Sequence, residues 1–347
     1  MYQDLTIIPF ESSLASEVLI KKYLDLDDTI DLELNPEEGL MSRDFRKKSL
    51  QTPNPHMDVY TWICMNKDGS SGPIIGKAIL SVETSQSPNY ERNGHIARLS
   101  LNVLHDYRRM NIGSILLEEV VKKTNELPSV KLLLVSSNNE MGWQFCENKG
   151  AKLALEQTKS VLDFSDVDWV LITDWRNQKE VLAETEHVDF VSFEAVPEEI
   201  IEEYASIYTE TINQQPLGSL QLRSVISPDT LRNRANLWIG GGMKWHTIIS
   251  KEKNGEISGL TEFLYNPEQP KIIHQLLTGV KKKYRKRGLG KILKGELLCF
   301  MKEEYPEAKF VSTSNTITNE AMVSINTRMG FREKSPLKYY EFTIEKL

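Results

Sequence analysis

Two stretches half a chain apart share a pattern that few folds can use. Arg108-x-x-Asn111-x-Gly113 and Arg285-x-x-Gly288-x-Gly290 each follow an apolar, β-branched run and open a stretch with helical apolar spacing. The pattern is strand, tight turn, helix. The offset between them is 177 residues, from Gly113 to Gly290. Gly150 and Gly330 lie 180 apart, and Phe10-Glu11 and Phe193-Glu194, near the two first strands, 183 apart. A near-constant offset of half the 347-residue chain, with the elements in one order, means two copies of one fold.

The second copy has the sharper turn, TGVKKKYRKRGLGKIL over 278–293. A turn of this kind leaves several backbone N–H groups at the helix start without helical partners. With the positive end of the helix dipole they form a site for a phosphate. Glycine at 288 and 290 permits close ligand approach or a positive φ. Lys281, Lys282, Lys283, Arg285, Lys286 and Arg287 concentrate positive charge here, in a chain of net charge −7. The spacing is neither the phosphate loop G-x-x-x-x-G-K-[ST] nor the full dinucleotide fingerprint G-x-G-x-x-G. For the charge run taken alone, a solvated basic turn is the alternative.

The length makes two domains the prior. Hydrophobic content of 40% with 26% charged residues is that of a globular protein able to bury real cores. No apolar run approaches the ~20 residues needed to cross a bilayer, so no membrane partner is expected. The start, MYQDLTIIPFESS, lacks a signal-peptide pattern. Cys64, Cys146 and Cys299 are scattered, which suits reduced thiols in a cytoplasmic protein. The acidic balance argues against nucleic acid as a partner. Six scattered histidines give no metal-ligand spacing, so no metal is expected. The oligomeric state, monomer or homodimer, stays open.

Along the chain, strands are expected at 5–10, 59–65, 74–82, 95–103, 130–136 and 152–162, with helices at about 14–26, 36–50, 114–125 and 139–148. Lys67-Asp68-Gly69-Ser70 reads as a turn. The second copy repeats this order, with a helix from Pro197, a polar helical stretch over 219–236, a hairpin around Lys253-Asn254-Gly255, and a helix over 291–304. The division expected is 1–165 for the first domain, a linker helix in 166–186, and 187–347 for the second.

The basic turn is followed by the strand KFVSTS (309–314) and then by NTITNEAMVSINTRMGF (315–331). In this order the turn resembles the [QR]-x-x-G-x-[GA] signature of the GNAT N-acetyltransferase superfamily. The segment closing on Gly330-Phe331 resembles that family's N-x-x-A-x-x-x-Y-x-x-x-G-F. The tandem arrangement is similar to that of mycothiol synthase and related two-domain acetyltransferases, without implying that substrate. The resemblance implies an α/β (α+β) chain of two tandem GNAT folds, each a mixed, mostly antiparallel, splayed sheet flanked by helices. It implies acetyl-CoA as co-substrate and direct transfer of the acetyl group to the primary amine of a small molecule. On that basis Leu277, Thr278, Gly279 and Val280 pair with the pantetheine arm. Arg285, Lys286, Arg287, Gly288, Leu289, Gly290 and Lys291 hold the pyrophosphate, and Gln275 lines the cleft. Asn319 either contacts the coenzyme or caps a helix.

The acid–base set is less regular. The family tyrosine that protonates the leaving thiolate falls at Asn326, and an amide can donate a hydrogen bond but not a proton. Either Asn326 acts by hydrogen bond, or Tyr339 or Tyr340 of the last strand substitutes, or the chemistry differs. That last case gives a non-catalytic acyl-CoA binding protein. Glu262 is the better candidate base, with a pKa raised by a partly buried cleft, and His274 the lesser one. The run Glu194, Glu198, Glu199, Glu202, Glu203, Glu210 suits a cationic acceptor, or is simply a solvated helix face. In the first copy Asn111 replaces a glycine, which is tolerable because asparagine visits positive φ. The tyrosine position there is Cys146. That copy either binds coenzyme weakly or only supports the active half.

Overall fold

The computed structural model describes residues 5–66, 72–220 and 222–344. The turn expected at Lys67-Asp68-Gly69-Ser70 lies outside the described residues. The elements run β1 (Leu5–Pro9), α1 (Glu17–Leu34), α2 (Arg43–Gln51), β2 (Met57–Asn66), β3 (Ile74–Glu83), α3 (Tyr90–Asn93), β4 (Ile96–Val103), α4 (Ile112–Asn125), β5 (Leu132–Ser137), α5 (Glu140–Asn148) and β6 (Lys152–Asp163). Then come α6 (Trp169–Glu186), β7 (Asp189–Glu194), α7 (Ile201–Ile212), α8 (Pro228–Trp238), β8 (Lys244–Lys251), β9 (Ile257–Tyr265), β10 (Ile272–Val280), α9 (Leu289–Glu304), β11 (Phe310–Thr316), α10 (Glu320–Met329) and β12 (Arg332–Thr343). The expected polar helix over 219–236 shrinks to α8, which starts where Ser227 caps the Thr230 N–H and Pro228 occupies the first turn.

The chain forms two compact units, Met1–Leu155 with Leu337–Leu347, and Glu156–Pro336. In the first, β1 to β5 pair in chain order, and Lys338–Thr343 of β12 pairs antiparallel with β5. In the second, Gln157–Asp163 of β6 pairs with β11, and β11, β10, β9, β8 and β7 follow in that order. Among the described residues, the parallel pair in each is the one next to the added strand, β4–β5 and β10–β11. Each unit is thus closed by a strand from the other half of the chain. The segment read as a linker is α6, which packs on α9 within the second unit through Ile172 and Trp175.

One core of the first unit lies between its sheet and α4, built on Leu80, Leu99, Leu116, Leu117, Leu133 and Phe342. A second lies under α1, with Tyr23, Leu26, Ile63 and Ile74. The second unit has cores on both faces of its sheet. Leu293, Leu297, Phe263, Ile273 and Val311 fill the α9 side, and Tyr204, Ile207, Leu231, Trp245 and Leu260 the α7 side. Burying each of these large side chains contributes roughly 1.5–3 kcal/mol.

Candidate active site

Strand β10 is paired with two neighbours over only part of its length. It runs parallel to β11 from Ile272↔Phe310 to His274↔Ser312 and then leaves it. It stays with β9 as far as Val280↔Gly259, across a register shift between Gln275 and Thr278. Meanwhile β11 follows β6 to Thr316. The two strands therefore part after His274, and the main chain of Leu277, Thr278, Gly279 and Val280 borders the opening without a β11 partner.

The turn below the opening has an irregular course. After a single 3-10 turn at Lys282–Tyr284, the Arg285 Nε donates to the Val280 carbonyl oxygen at 3.3 Å. Lys286 and Gly288 both take positive φ, 68° and 84°. Gly288 is the N-cap of α9, and no side chain caps the helix. Lys291 N–H donates to the Gly288 carbonyl at 3.1 Å, while among the described residues nothing accepts from the Leu289 and Gly290 N–H groups, which fits an anion. A Cβ at Gly290 would meet only ordinary contacts, Ile325 at 3.7 Å and Val280 at 3.9 Å. What glycine secures there is room for a ligand rather than a strained backbone.

Part of the basic run is already neutralised. Lys281 and Lys283 contact Glu256 at 2.8 and 2.7 Å, and with the Tyr284 hydroxyl they draw its carboxyl down to about 2. Arg287 pairs with Glu186 and Glu252. Arg285 donates to the Gln214 amide oxygen. The side chains of Lys282, Lys286 and Lys291 enter no ion pair among the described residues. Positive charge left for a phosphate is accordingly smaller than the sequence count.

Behind the opening, on the α9 face of the sheet, a polar group is sealed in. Lys294 of α9 is 2% exposed. Its Nζ donates to Gln275 Oε1 at 2.9 Å and Asn326 Oδ1 at 2.5 Å, and lies 5.2 Å from the Phe331 ring centre. Gln275 Nε2 donates to Thr278 Oγ1, which meets Thr261 Oγ1 at 2.7 Å. Burial, with no carboxylate near, pulls the Lys294 ammonium down to about 7. Asn326 also borders a cavity of about 60 Å³, with Ser160, Asn315, Phe331 and Glu333. Sequence reading brought Gln275, Thr278 and Asn326 to this place but missed Lys294. The available signal was a lysine inside the apolar register Leu289, Ile292, Leu293, Leu297.

The other sequence candidates fall elsewhere. Glu262 is on the opposite, α7 face, 0% exposed, accepting from Tyr208 (2.8 Å), Trp245 Nε1 (2.9 Å) and Tyr204 (3.2 Å). Burial raises its carboxyl pKa, against the opposing charge of Arg234. Among the described residues the nearby Arg234 Nη1 and Thr247 Oγ1 make no hydrogen bond. His274 Nδ1 contacts Ser312 Oγ at 2.8 Å, at the last position where β10 pairs with β11. Asn319 is the N-cap of α10 but makes no side-chain cap bond.

Tyr340 does not line this cleft. It pairs with Val135 in the first unit, is fully buried, and donates to Glu147 Oε1 at 2.8 Å. Tyr339 pairs with Ser136 on the same strand. The cause is the strand exchange, because β12 runs on from α10 but its last residues complete the first sheet. Of the acidic run, Glu203 accepts the Ile257 N–H, Glu210 the Lys282 N–H, and Glu198 pairs with Arg232. Among the described residues no group of three His, Cys, Asp or Glu is placed to hold a metal, and no helix is long and apolar enough to cross a membrane.

No family model and no curated protein matches the chain. Solved structures do. Over 98% of its length the chain is similar to a tandem GNAT protein from the clavulanic acid biosynthesis pathway, covering 98% of that chain at 18% identity with a TM-score of 0.76. A GCN5-related N-acetyltransferase from Sphaerobacter thermophilus matches over 98% of this chain and 96% of its own, at 12% identity and a TM-score of 0.63. A fungal glucosamine N-acetyltransferase region matches over 97% of this chain and 38% of its own, at 11% identity and 0.66. Likeness at these identities is likeness of fold. The chain has the tandem GNAT fold, two splayed mixed sheets flanked by helices, as the motifs in the sequence imply.

Proposed function

We propose that the protein is an acyl-CoA-dependent N-acetyltransferase, moving an acetyl group from acetyl-CoA to the primary amine of a small molecule by direct attack in its C-terminal unit. The observation that carries this reading is the parting of β10 from β11 directly above an uncapped, positive-φ glycine turn. In this reading the amides from Arg285 to Lys291 grip the pyrophosphate. The pantetheine arm lies along Leu277–Val280 as an added strand. The thioester then sits near Gln275, Thr278 and Asn326, where fixed polar groups favour developing charge over water.

The acceptor's ammonium proton goes to Glu262 through the phenols that shield it, since no direct contact is open to a carboxylate with no exposed surface. Glu262→Gln is expected to lower kcat about 10- to 100-fold in a folded protein. An unchanged kcat would remove Glu262 from the reaction and leave its bonds to Tyr204, Tyr208 and Trp245 as its whole role.

A second reading, a non-catalytic acyl-CoA binding protein, is favoured by one observation, Asn326 at the place of the family's tyrosine. Release of free thiol from acetyl-CoA against a panel of amines separates the two. Turnover with any amine supports the first reading, and saturable coenzyme binding with no turnover on all of them supports the second.

A further inference from the structure

An ammonium donates three hydrogen bonds and accepts none, so the amide atom facing it must be oxygen. Lys294 therefore fixes the orientation of both amides it touches. Gln275 turns its nitrogen to Thr278 Oγ1 at 3.2 Å. Asn326 turns its nitrogen away from the lysine, and no described residue accepts from it. The 60 Å³ cavity that Asn326 borders is large enough for a small ligand group or water.

We propose that Lys294 is a positioning residue for acyl transfer, holding the Asn326 amide so that its NH2 hydrogen-bonds the departing sulfur where related enzymes have a protonating phenol. The inference rests on the N-acetyltransferase reading above. In the step, the acceptor nitrogen bonds to the acyl carbon, the C–S bond breaks with its electron pair going to sulfur, and the nitrogen gives its remaining surplus proton to water. The thiolate leaves hydrogen-bonded to Asn326 and takes its proton from water. A thiol of ordinary pKa, about 8.5, leaves as thiolate without an acid at neutral pH. No redox partner is involved.

The arrangement depends on the lysine keeping its charge. A neutral amine has a lone pair and can accept, so the Asn326 amide is then free to turn over and present its nitrogen to Lys294. Burial brings that loss of charge to about pH 7, and no nearby charge opposes it. Of the charged groups on packed elements, Arg176 and Lys179 of α6 are paired with Glu296 and Glu303 on the side of α9 facing α6. His246 of β8 stacks on Phe300. Glu333 of β12 borders the cavity.

The test is the pH dependence of kcat for Lys294→Met, Asn326→Leu and the double variant, with acetyl-CoA and any amine the wild type turns over. Wild type is expected to lose kcat as pH rises through about 7, against the gain from deprotonating the acceptor. Lys294→Met should lower kcat about 10- to 100-fold below that pH, keep KM for acetyl-CoA within about threefold, and lose the alkaline fall. The double variant should match the worse single one, because both remove one device. A folded Lys294→Met with wild-type kcat and pH profile overturns the inference, as do losses that multiply. If Lys294→Met does not fold, Asn326→Leu decides, since it too must lose the alkaline fall. Absence of turnover by wild type on every amine, with coenzyme still bound, would instead defeat the enzymatic reading itself.

Discussion

At the start of α4 and of α9 the backbone takes the same course. Arg108 Nε donates to the Val103 carbonyl as Arg285 does to Val280. Arg109 and Asn111 take positive φ as Lys286 and Gly288 do, and neither helix has a side-chain cap. The difference lies behind the turn. Where the second unit has Gln275, Lys294 and Asn326, the first has Leu99, Leu117 and Cys146, all buried in one apolar core. Parallel pairing continues to Leu99↔Val135 in the first unit but stops short of Gln275 in the second. Arg108 is held by both oxygens of Glu33 at 2.6 Å, whereas the terminal guanidinium nitrogen of Arg285 meets the neutral amide of Gln214. The first unit nonetheless has a cavity of about 450 Å³, lined by Leu101, Arg109, Asn111, Ser137 and Phe145. A duplicated fold can keep the backbone course of its turn while the side chains behind that turn change from polar to apolar.

The sharpest way to break this comparison is to move the cation. Leu117→Lys buries a charge in an apolar core with no partner, and should destabilise the first unit by about 3–5 kcal/mol in thermal or denaturant unfolding. Lys294→Met is expected to do the reverse and raise the unfolding temperature. The sign follows from the pKa, about 7 folded against an ordinary 10.5. Because the unfolded chain binds the proton more tightly, the cost is complete below pH about 7 and is relieved as pH rises toward 10.5. The gain from Lys294→Met should therefore be largest below pH 7 and fade above it. Equal responses at 117 and 294 would mean that the two cores are not different in kind.

A smaller effect sharpens the contrast at the turns. Arg285→Ala should weaken acetyl-CoA binding about tenfold, close to 1.4 kcal/mol, with little change in stability. Arg108→Ala breaks a bidentate pair with Glu33 and should cost about 1 kcal/mol of stability, leaving coenzyme affinity unchanged. Calorimetric titration and thermal unfolding of both variants check this. Swapped outcomes would place the coenzyme in the first unit.

The sequence made the turns legible because their constraints are local. Asn111 takes the positive φ that its side chain tolerates, and Gly288 the one that glycine favours. The order of elements along the chain followed from the repeat. What stayed hidden depended on partners distant in sequence. Counting lysines and arginines overstated the free charge, because Glu186, Glu252 and Glu256 come from other elements. Tyr340 follows the second copy in sequence but pairs with β5 of the first. Lys294 stayed hidden for the same reason, since its partners Gln275 and Asn326 come from β10 and α10.

The central claim is that main-chain amides at the start of α9 hold the diphosphate of the coenzyme that reacts. Thiol release from acetyl-CoA and coenzyme affinity should be compared for folded Gly288→Val and Asn111→Val. The account predicts that Gly288→Val loses both by at least about a hundredfold, while Asn111→Val keeps turnover within about threefold. Turnover that survives Gly288→Val and is lost with Asn111→Val would contradict it.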